Sequence, residues 1–383
     1  MAADGFIAAA NCSGGNRADG SGSRPAAEQM DLAAAKQMHP TTAEQMDLAL
    51  AAAKQMDSAA AKQMHPATAE QMHPAAAEQM HPVAVEQIPS AAAAAATTKA
   101  PRETGRIAIP THHLILSHAT TVKLYRDKYK GSQNGTIGIT VETYWMVPKY
   151  ETVVSQEAAS RALDFAFGWI VHPITYGDYP KIMRVMVGNR LPQFTEEESR
   201  MVRGSIDFLG INYYSARYVD DCTSCPTGDL NLSYTTDSHV NETTDKNGVP
   251  IGEPTAASWI YIYPKGIRQL VLYVKRKYMN TPIYITENGM ADFNNKMLPI
   301  KEALNDSLRI KYHSLHLSYL LKAIKDGADV RGYYVWSFLD DFEWEYGFTD
   351  RFGVTYVDFK NNLKRYFKRS AFWFKNFLAK DKC

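Results

Sequence analysis

Aromatic residues divide this 383-residue chain in two, and the division limits what can fold. Residues 1–100 contain a single aromatic, Phe6, whereas all six Trp and all 22 Tyr lie beyond residue 100. A segment without large apolar side chains cannot bury enough surface to offset the entropy of ordering its backbone. The chain therefore reads as a low-complexity tail over 1–105, disordered for want of a core, followed by one folded region over 106–383. Charge adds a second limit. With 42 Lys and Arg against 41 Asp and Glu, the formal net charge is +1. That balance argues against nucleic acid as a partner, because phosphate binding leaves a basic footprint.

The tail is an internal repeat over residues 26–90, with Gln at 29, 37, 45, 55, 63, 71, 79 and 87. Eight residues is not a heptad, so an apolar seam would drift around a helix. Pro40, Pro66, Pro74, Pro82 and Pro89 break any long helix as well. His39, His65, His73 and His81 recur beside Met, but the composition reads as a low-complexity Ala/Gln/Met tract rather than a metal-binding string.

Four cysteines, Cys12, Cys222, Cys225 and Cys383, are too few for a disulfide framework. Cys222 and Cys225 sit in a Gly/Pro/Thr-rich stretch without a second ligand pair, which reads as a local disulfide or two loop thiols. No apolar run reaches the roughly 18 residues of a membrane span. The N-terminus shows no basic region followed by an apolar one, so no signal peptide is expected. Five Asn-x-Ser/Thr sequons, at Asn11, Asn134, Asn231, Asn241 and Asn305, point instead toward a secretory ancestry. The compartment stays open between these two indications.

Beyond residue 105 the pattern alternates. Leu114, Ile115, Ala119, Val122 and Tyr125 are spaced for a helix over 112–129. Gly135 to Glu142 is a β-branched run after a turn signal, hence a strand. Ala158, Ala162, Phe165 and Trp169 mark a helix over 157–169, and Ile206 to Asn212 a second strand. A helix over 263–277 follows, with Pro264 suited to its first turn. The third strand is Ile283 to Thr286, and a long helix spans 302–325, closed by Gly327. A fourth strand covers Val330 to Phe338, and a last helix runs from about Lys364 to Leu378. Repeated β-then-α units imply an α/β fold of parallel strands joined by crossover helices. In such folds function gathers at the carboxyl ends of the strands. Those ends carry Asn212-Tyr-Tyr214, Glu287-Asn-Gly289 and Trp336-Ser-Phe-Leu-Asp-Asp-Phe-Glu-Trp344. Carboxylates, amides and aromatic planes together suit a neutral polyhydroxylated ligand.

These segments carry a resemblance. Pro282-Ile-Tyr-Ile-Thr-Glu-Asn-Gly289 is similar to the nucleophile motif of glycoside hydrolase family 1. Asp207-Phe-Leu-Gly-Ile-Asn-Tyr-Tyr214, Trp336 to Gly347, Thr175-Tyr-Gly-Asp-Tyr-Pro180 and Arg351 to Asp358 fit the same family, particularly its plant β-glucosidases. The match covers roughly residues 107–383 in unbroken order. It implies a (β/α)8 TIM barrel, retaining hydrolysis of β-O-glucosidic bonds, a small-molecule β-glucoside as partner, and no cofactor, metal or membrane.

By resemblance, Glu287 is the nucleophile. A retaining glycosidase needs an ionised carboxylate about 5 Å from a protonated one. Tyr214 would hydrogen-bond that carboxylate, with Asn212 nearby. Glu343 would accept paired sugar hydroxyls, Trp336 and Trp344 would offer a stacking plane and an indole N–H, and Phe352 would flank the pocket. Trp259 matches a position on the aglycone side.

The family's acid/base lies in a Thr-x-Asn-Glu-Pro motif at the end of barrel strand four, and this sequence has none; its one Glu-Pro pair, Glu253-Pro254, follows Gly252. Four candidate strands stand where a closed barrel needs eight. The sequence therefore predicts about strands 5–8 of an incomplete barrel, with open parallel edges prone to self-association. For function it predicts either a β-glucosidase-like site with impaired acid catalysis or a catalytically silent sugar-binding or scaffold chain.

Overall fold

The computed structural model describes the backbone of Phe6–Ala8 and Val85–Gln87, and the chain over residues 108–223 and 234–379. Apart from Val85–Gln87, the repeat lies outside the described residues, as do Cys12, Cys225, Cys383, Asn11 and Asn231.

The four strands expected from the β-branched runs form. They are β1 (Gly138–Glu142), β2 (Phe208–Asn212), β3 (Ile283–Asn288) and β4 (Val330–Val335). They lie parallel and side by side in chain order. Ile139 pairs with Leu209 and Leu209 with Ile283; Val141 pairs with Ile211 and Ile211 with Ile285. All six are fully buried. Side chains alternate across a strand, so these rows make one continuous apolar face, as a helix-covered parallel sheet requires.

Helices cover that face. They are α1 (Ala108–Leu124), α2 (Val153–Leu163), α3 (Pro264–Lys277), α4 (Ser307–Lys325) and α5 (Arg369–Leu378). A π-turn, Asp164–Gly168, carries α2 on into a further helix, Trp169–Tyr176. In α3 the buried residues Ile267, Leu270, Val271 and Val274 have the i, i+3, i+4, i+7 spacing of one helix face. With Phe167, Ile170 and Leu317 they join the strand residues in one core. The strand, helix, strand order makes this an α/β fold.

Several features depart from the sequence reading. The helix expected over 302–325 is two, Ile300–Ala303 and α4. Between them Asp306 accepts hydrogen bonds from Ser370 and Arg309, which pins the chain where a continuous helix would pass. The last helix begins at Arg369, because Lys364–Phe367 is a strand paired antiparallel with Thr355–Asp358. A three-stranded sheet of Trp145–Pro148, Ala216–Asp221 and Val240–Thr243 packs under α2. A helix over Glu196–Val202 also went unread, although Thr195 and Glu198 form the reciprocal cap that a Thr-x-x-Glu sequence encodes.

The sheet edges differ too. Phe6–Ala8 pairs antiparallel with β4, and Val85–Gln87 pairs parallel with β1. Neither edge is bare, since an edge strand's unpaired N–H and C=O groups accept extended backbone whatever its composition. Cys222 is in a disulfide. Among the described residues, no helix is long and apolar enough to cross a membrane.

Candidate active site

Glu287 stands near the carboxyl end of β3 and is 8% exposed. The Tyr214 hydroxyl donates to its Oε2. The Asn212 side chain bonds the same carboxylate. Asn212 Oδ1 already accepts from Thr286 Oγ1 at 2.7 Å, which leaves its NH2 to face Glu287. Burial pushes the Glu287 carboxyl up to about 7, and the charges of Glu142 and Glu343 act the same way; the hydrogen bonds from Tyr214 and Asn212 oppose the rise. Burial and the Glu287 charge hold the Tyr214 phenol well above its ordinary value, so it stays a donor.

The two residues after Glu287 have separate tasks. Asn288 is fully buried, and its Nδ2 donates to the Tyr213 carbonyl at 2.6 Å and to Tyr312 Oη at 2.9 Å. Its Oδ1 accepts from Tyr333 Oη at 2.5 Å. Tyr312 Oη then donates to the Tyr214 carbonyl at 2.8 Å, tying the strand of Glu287 to the backbone of its donor. Gly289 has no room for a side chain: a Cβ there would lie 1.9 Å from the Trp336 carbonyl oxygen.

Glu343, also 8% exposed, receives a hydrogen bond from the Trp336 side chain. Burial first, then the negative charge of Asp341, raises its carboxyl to about 7. Phe352 and Trp259 pack edge-to-face on Tyr214, with ring centres 6.2 and 5.3 Å away. Glu287, Asn212, Tyr214, Trp336, Glu343, Phe352 and Trp259 are thus linked in one cluster by hydrogen bonds, ring contacts and charge. Trp344 is apart from them, 70% exposed in the turn Trp344–Tyr346.

Two neighbours were missed by sequence reasoning. Glu142 ends β1, and the rule that function sits at strand ends would have marked it. Tyr144 lies 6.5 Å from the Trp259 ring, beneath the Arg217 guanidinium at 3.9 Å. No local signal distinguishes it. A cavity of about 280 Å³, lined by Asp292, Asp306, Arg351 and Lys368 among others, includes none of these side chains. Among the described residues, no group of three or more His, Cys, Asp or Glu side chains is placed to hold a metal ion.

The family model for glycosyl hydrolase family 1 matches residues 92–383. The chain belongs to glycosyl hydrolase family 1. It is 59% identical over 268 residues to Beta-glucosidase 17 of Arabidopsis thaliana, covering 70% of this chain and 52% of that protein. It is 54% identical over 269 residues to Beta-glucosidase 12 of Oryza sativa subsp. indica, with the same coverage of 70% and 52%. Among solved structures, the rice Os3BGlu6 β-glucosidase matches with a TM-score of 0.72 and 46% identity, over 74% of this chain and 60% of that one. A mutant of the same rice enzyme, in a covalent complex with Glc, matches with a TM-score of 0.72 and 44% identity, over 76% and 61%. These family 1 neighbours make the fold a TIM-barrel type, to which β1–β4 and their helices belong. The chain spans about half the length of the curated family 1 relatives it matches.

Proposed function

We propose that this chain carries the nucleophile side of a retaining β-glucosidase, with Glu287 attacking the anomeric carbon. The observation that carries the reading is the Glu287 carboxylate itself. It is buried at a strand end and oriented by two side-chain donors, Tyr214 and Asn212. A buried carboxylate held in one orientation is pre-positioned for attack, and the covalent glycosyl-enzyme splits one hard step into two. The relatives' names and the covalent Glc in the rice structure support it.

In this reading Glu343 accepts paired hydroxyls of the glucose ring, aided by Trp336, whose plane also offers stacking. Phe352 flanks the ring and Trp259 lines the aglycone side. Trp344, exposed beside Glu343, would offer its indole at the edge of the sugar site.

We further propose that β1–β4 correspond to the last four strands of the family's eight, and that the Thr-x-Asn-Glu-Pro acid/base is not supplied by this chain. General acid assistance contributes about 10²–10⁴-fold, so activated glucosides react without it and ordinary ones depend on a proton donor outside that motif. The missing motif also supports a second reading, a silent sugar-binding chain. Mass spectrometry after incubation with a 2-fluoroglucoside separates the two. An adduct on Glu287 is expected; an unmodified chain would leave only the silent reading.

A further inference from the structure

Proton exchange is the one task that this reading leaves without a residue, and the row of side chains ending β1, β2 and β3 offers one. In register, Glu142 pairs with Asn212, and Asn212 with Glu287. The face is set by the preceding rows. Ile139 and Val141 point into the helix-covered core. On Gly210, a Cβ would lie 2.2 Å from Thr140 Oγ1 and 3.0 Å from Thr286 Cγ2, so both threonines occupy the other face. Thr286 there donates to Asn212. Alternation with period two places Glu142 on the side of Thr140. In β3 the register shifts between Ile285 and Glu287. Such a shift re-aims a side chain, and here it turns Glu287 toward the face that already holds Thr286 and Asn212. Glu142 is half-buried, and its charge is felt by Glu287, Tyr214 and Tyr144.

We propose that Glu142 is the proton-exchanging carboxylate of this site, acting across Asn212 from the nucleophile. The proposal rests on the reading of Glu287 above. Strands two apart hold their backbones about 10 Å from one another. Two Glu side chains converging from such strands can reach the roughly 5 Å spacing of a retaining pair. In the first step a Glu287 oxygen bonds the anomeric carbon while the bond from that carbon to the aglycone oxygen breaks. Glu142 gives its carboxyl proton to the departing oxygen, which leaves as a neutral alcohol. In the second step Glu142, now a carboxylate, takes a proton from water as the water oxygen bonds the anomeric carbon. The bond to Glu287 breaks, glucose leaves with its configuration retained, and both carboxyl groups return to their starting states.

The test uses the full chain with its Glu142→Gln and Glu142→Ala variants. Each is assayed with dinitrophenyl β-glucoside, whose leaving group needs no proton, and with phenyl β-glucoside, whose leaving group does. In parallel, a dinitrophenyl 2-fluoroglucoside labels Glu287 and the adduct is located by mass spectrometry. All three chains should be labelled. Turnover of the phenyl glucoside should fall about 10²–10⁴-fold in both variants, while release of dinitrophenolate falls far less. Azide should restore turnover in Glu142→Ala and yield β-glucosyl azide. Equal rates on the phenyl glucoside in all three chains, zero included, with labelling retained, overturn the proposal. Labelling lost in the variants alone also overturns it, because an activated leaving group needs no acid. A wild-type chain that is never labelled removes the nucleophile reading, and the proposal falls with it.

Discussion

The Tyr214 hydroxyl donates to Glu287 Oε2 across 73 residues of sequence, and the phenol is buried with the carboxylate it serves. This contact sets both the orientation and the proton affinity of Glu287. Removing the hydroxyl with Tyr214→Phe should slow labelling of Glu287 by a fluoroglucoside about 10–100-fold, the worth of one hydrogen bond to a charged group. The pH midpoint of labelling should also rise above about 7, because the lost bond is one that lowers the carboxyl's proton affinity. An unchanged midpoint would show that Tyr214 only fills space.

Glu287 should make the protein pH-sensitive in an unusual direction. Its carboxyl titrates at about 7 in the folded chain, against about 4.3 unfolded. Between these values the native state binds more protons than the unfolded state. Stability from this group is therefore fully present below about pH 4 and is lost as pH rises through about 7. Glu287→Gln, which stays neutral, should be more stable than wild type above neutral pH by on the order of 3–4 kcal/mol, with the difference shrinking toward about pH 5. Urea titrations at the two pH values check this; a difference that does not depend on pH would refute it.

Gly289→Ala tests the close approach behind Glu287. The added methyl would sit 1.9 Å from the Trp336 carbonyl oxygen, so one of the two backbones must move. A cost of about 1–3 kcal/mol is expected, typical of overpacking. Because Trp336 also bonds Glu343, labelling by a fluoroglucoside should weaken along with stability. Chemical denaturation together with adduct formation reads out both effects.

Arg309 is fully buried and joins three segments. Its guanidinium bonds Asp292 at 2.5 Å, Asp306 at 3.2 Å and the carbonyls of Met290, Arg351 and Phe352. Arg309→Met leaves the buried Asp306 without its cation and should destabilise the fold by about 3–5 kcal/mol. The loss is measurable as a lower urea midpoint. A midpoint within error of wild type would mean that Lys368 takes over the pairing.

The strands, the covering helices and the order of the site segments were legible in the sequence. Each is written in a short-range pattern: Ile139 and Val141 two apart, Ile267, Leu270, Val271 and Val274 at helical spacing. Strand ends point to Glu287 and Asn212 for the same reason, since a strand and its end are local objects. Errors arose where a long-range contact overrode local preference. Asp306 interrupts a helix because Ser370 and Arg309 hold it. Lys364–Phe367 is drawn out of helix by pairing with Thr355–Asp358. Phe6–Ala8 becomes a strand through the edge of β4 rather than through its own composition.

By itself, then, the sequence determined that one aromatic-rich region folds as parallel βα units and that its strand ends carry carboxylates, amides and indoles. Only the tertiary structure decided which of those groups meet. The Tyr214 and Asn212 side chains meet Glu287, Tyr214 from 73 residues away in sequence, because parallel pairing brings the ends of β2 and β3 together. Register sets Glu142 beside Asn212, close enough for its charge to act on Glu287, and Trp344 is exposed although Glu343, its neighbour in the loop, is buried. Periodicity is a property of neighbours in the chain, whereas register and burial are properties of the assembled sheet.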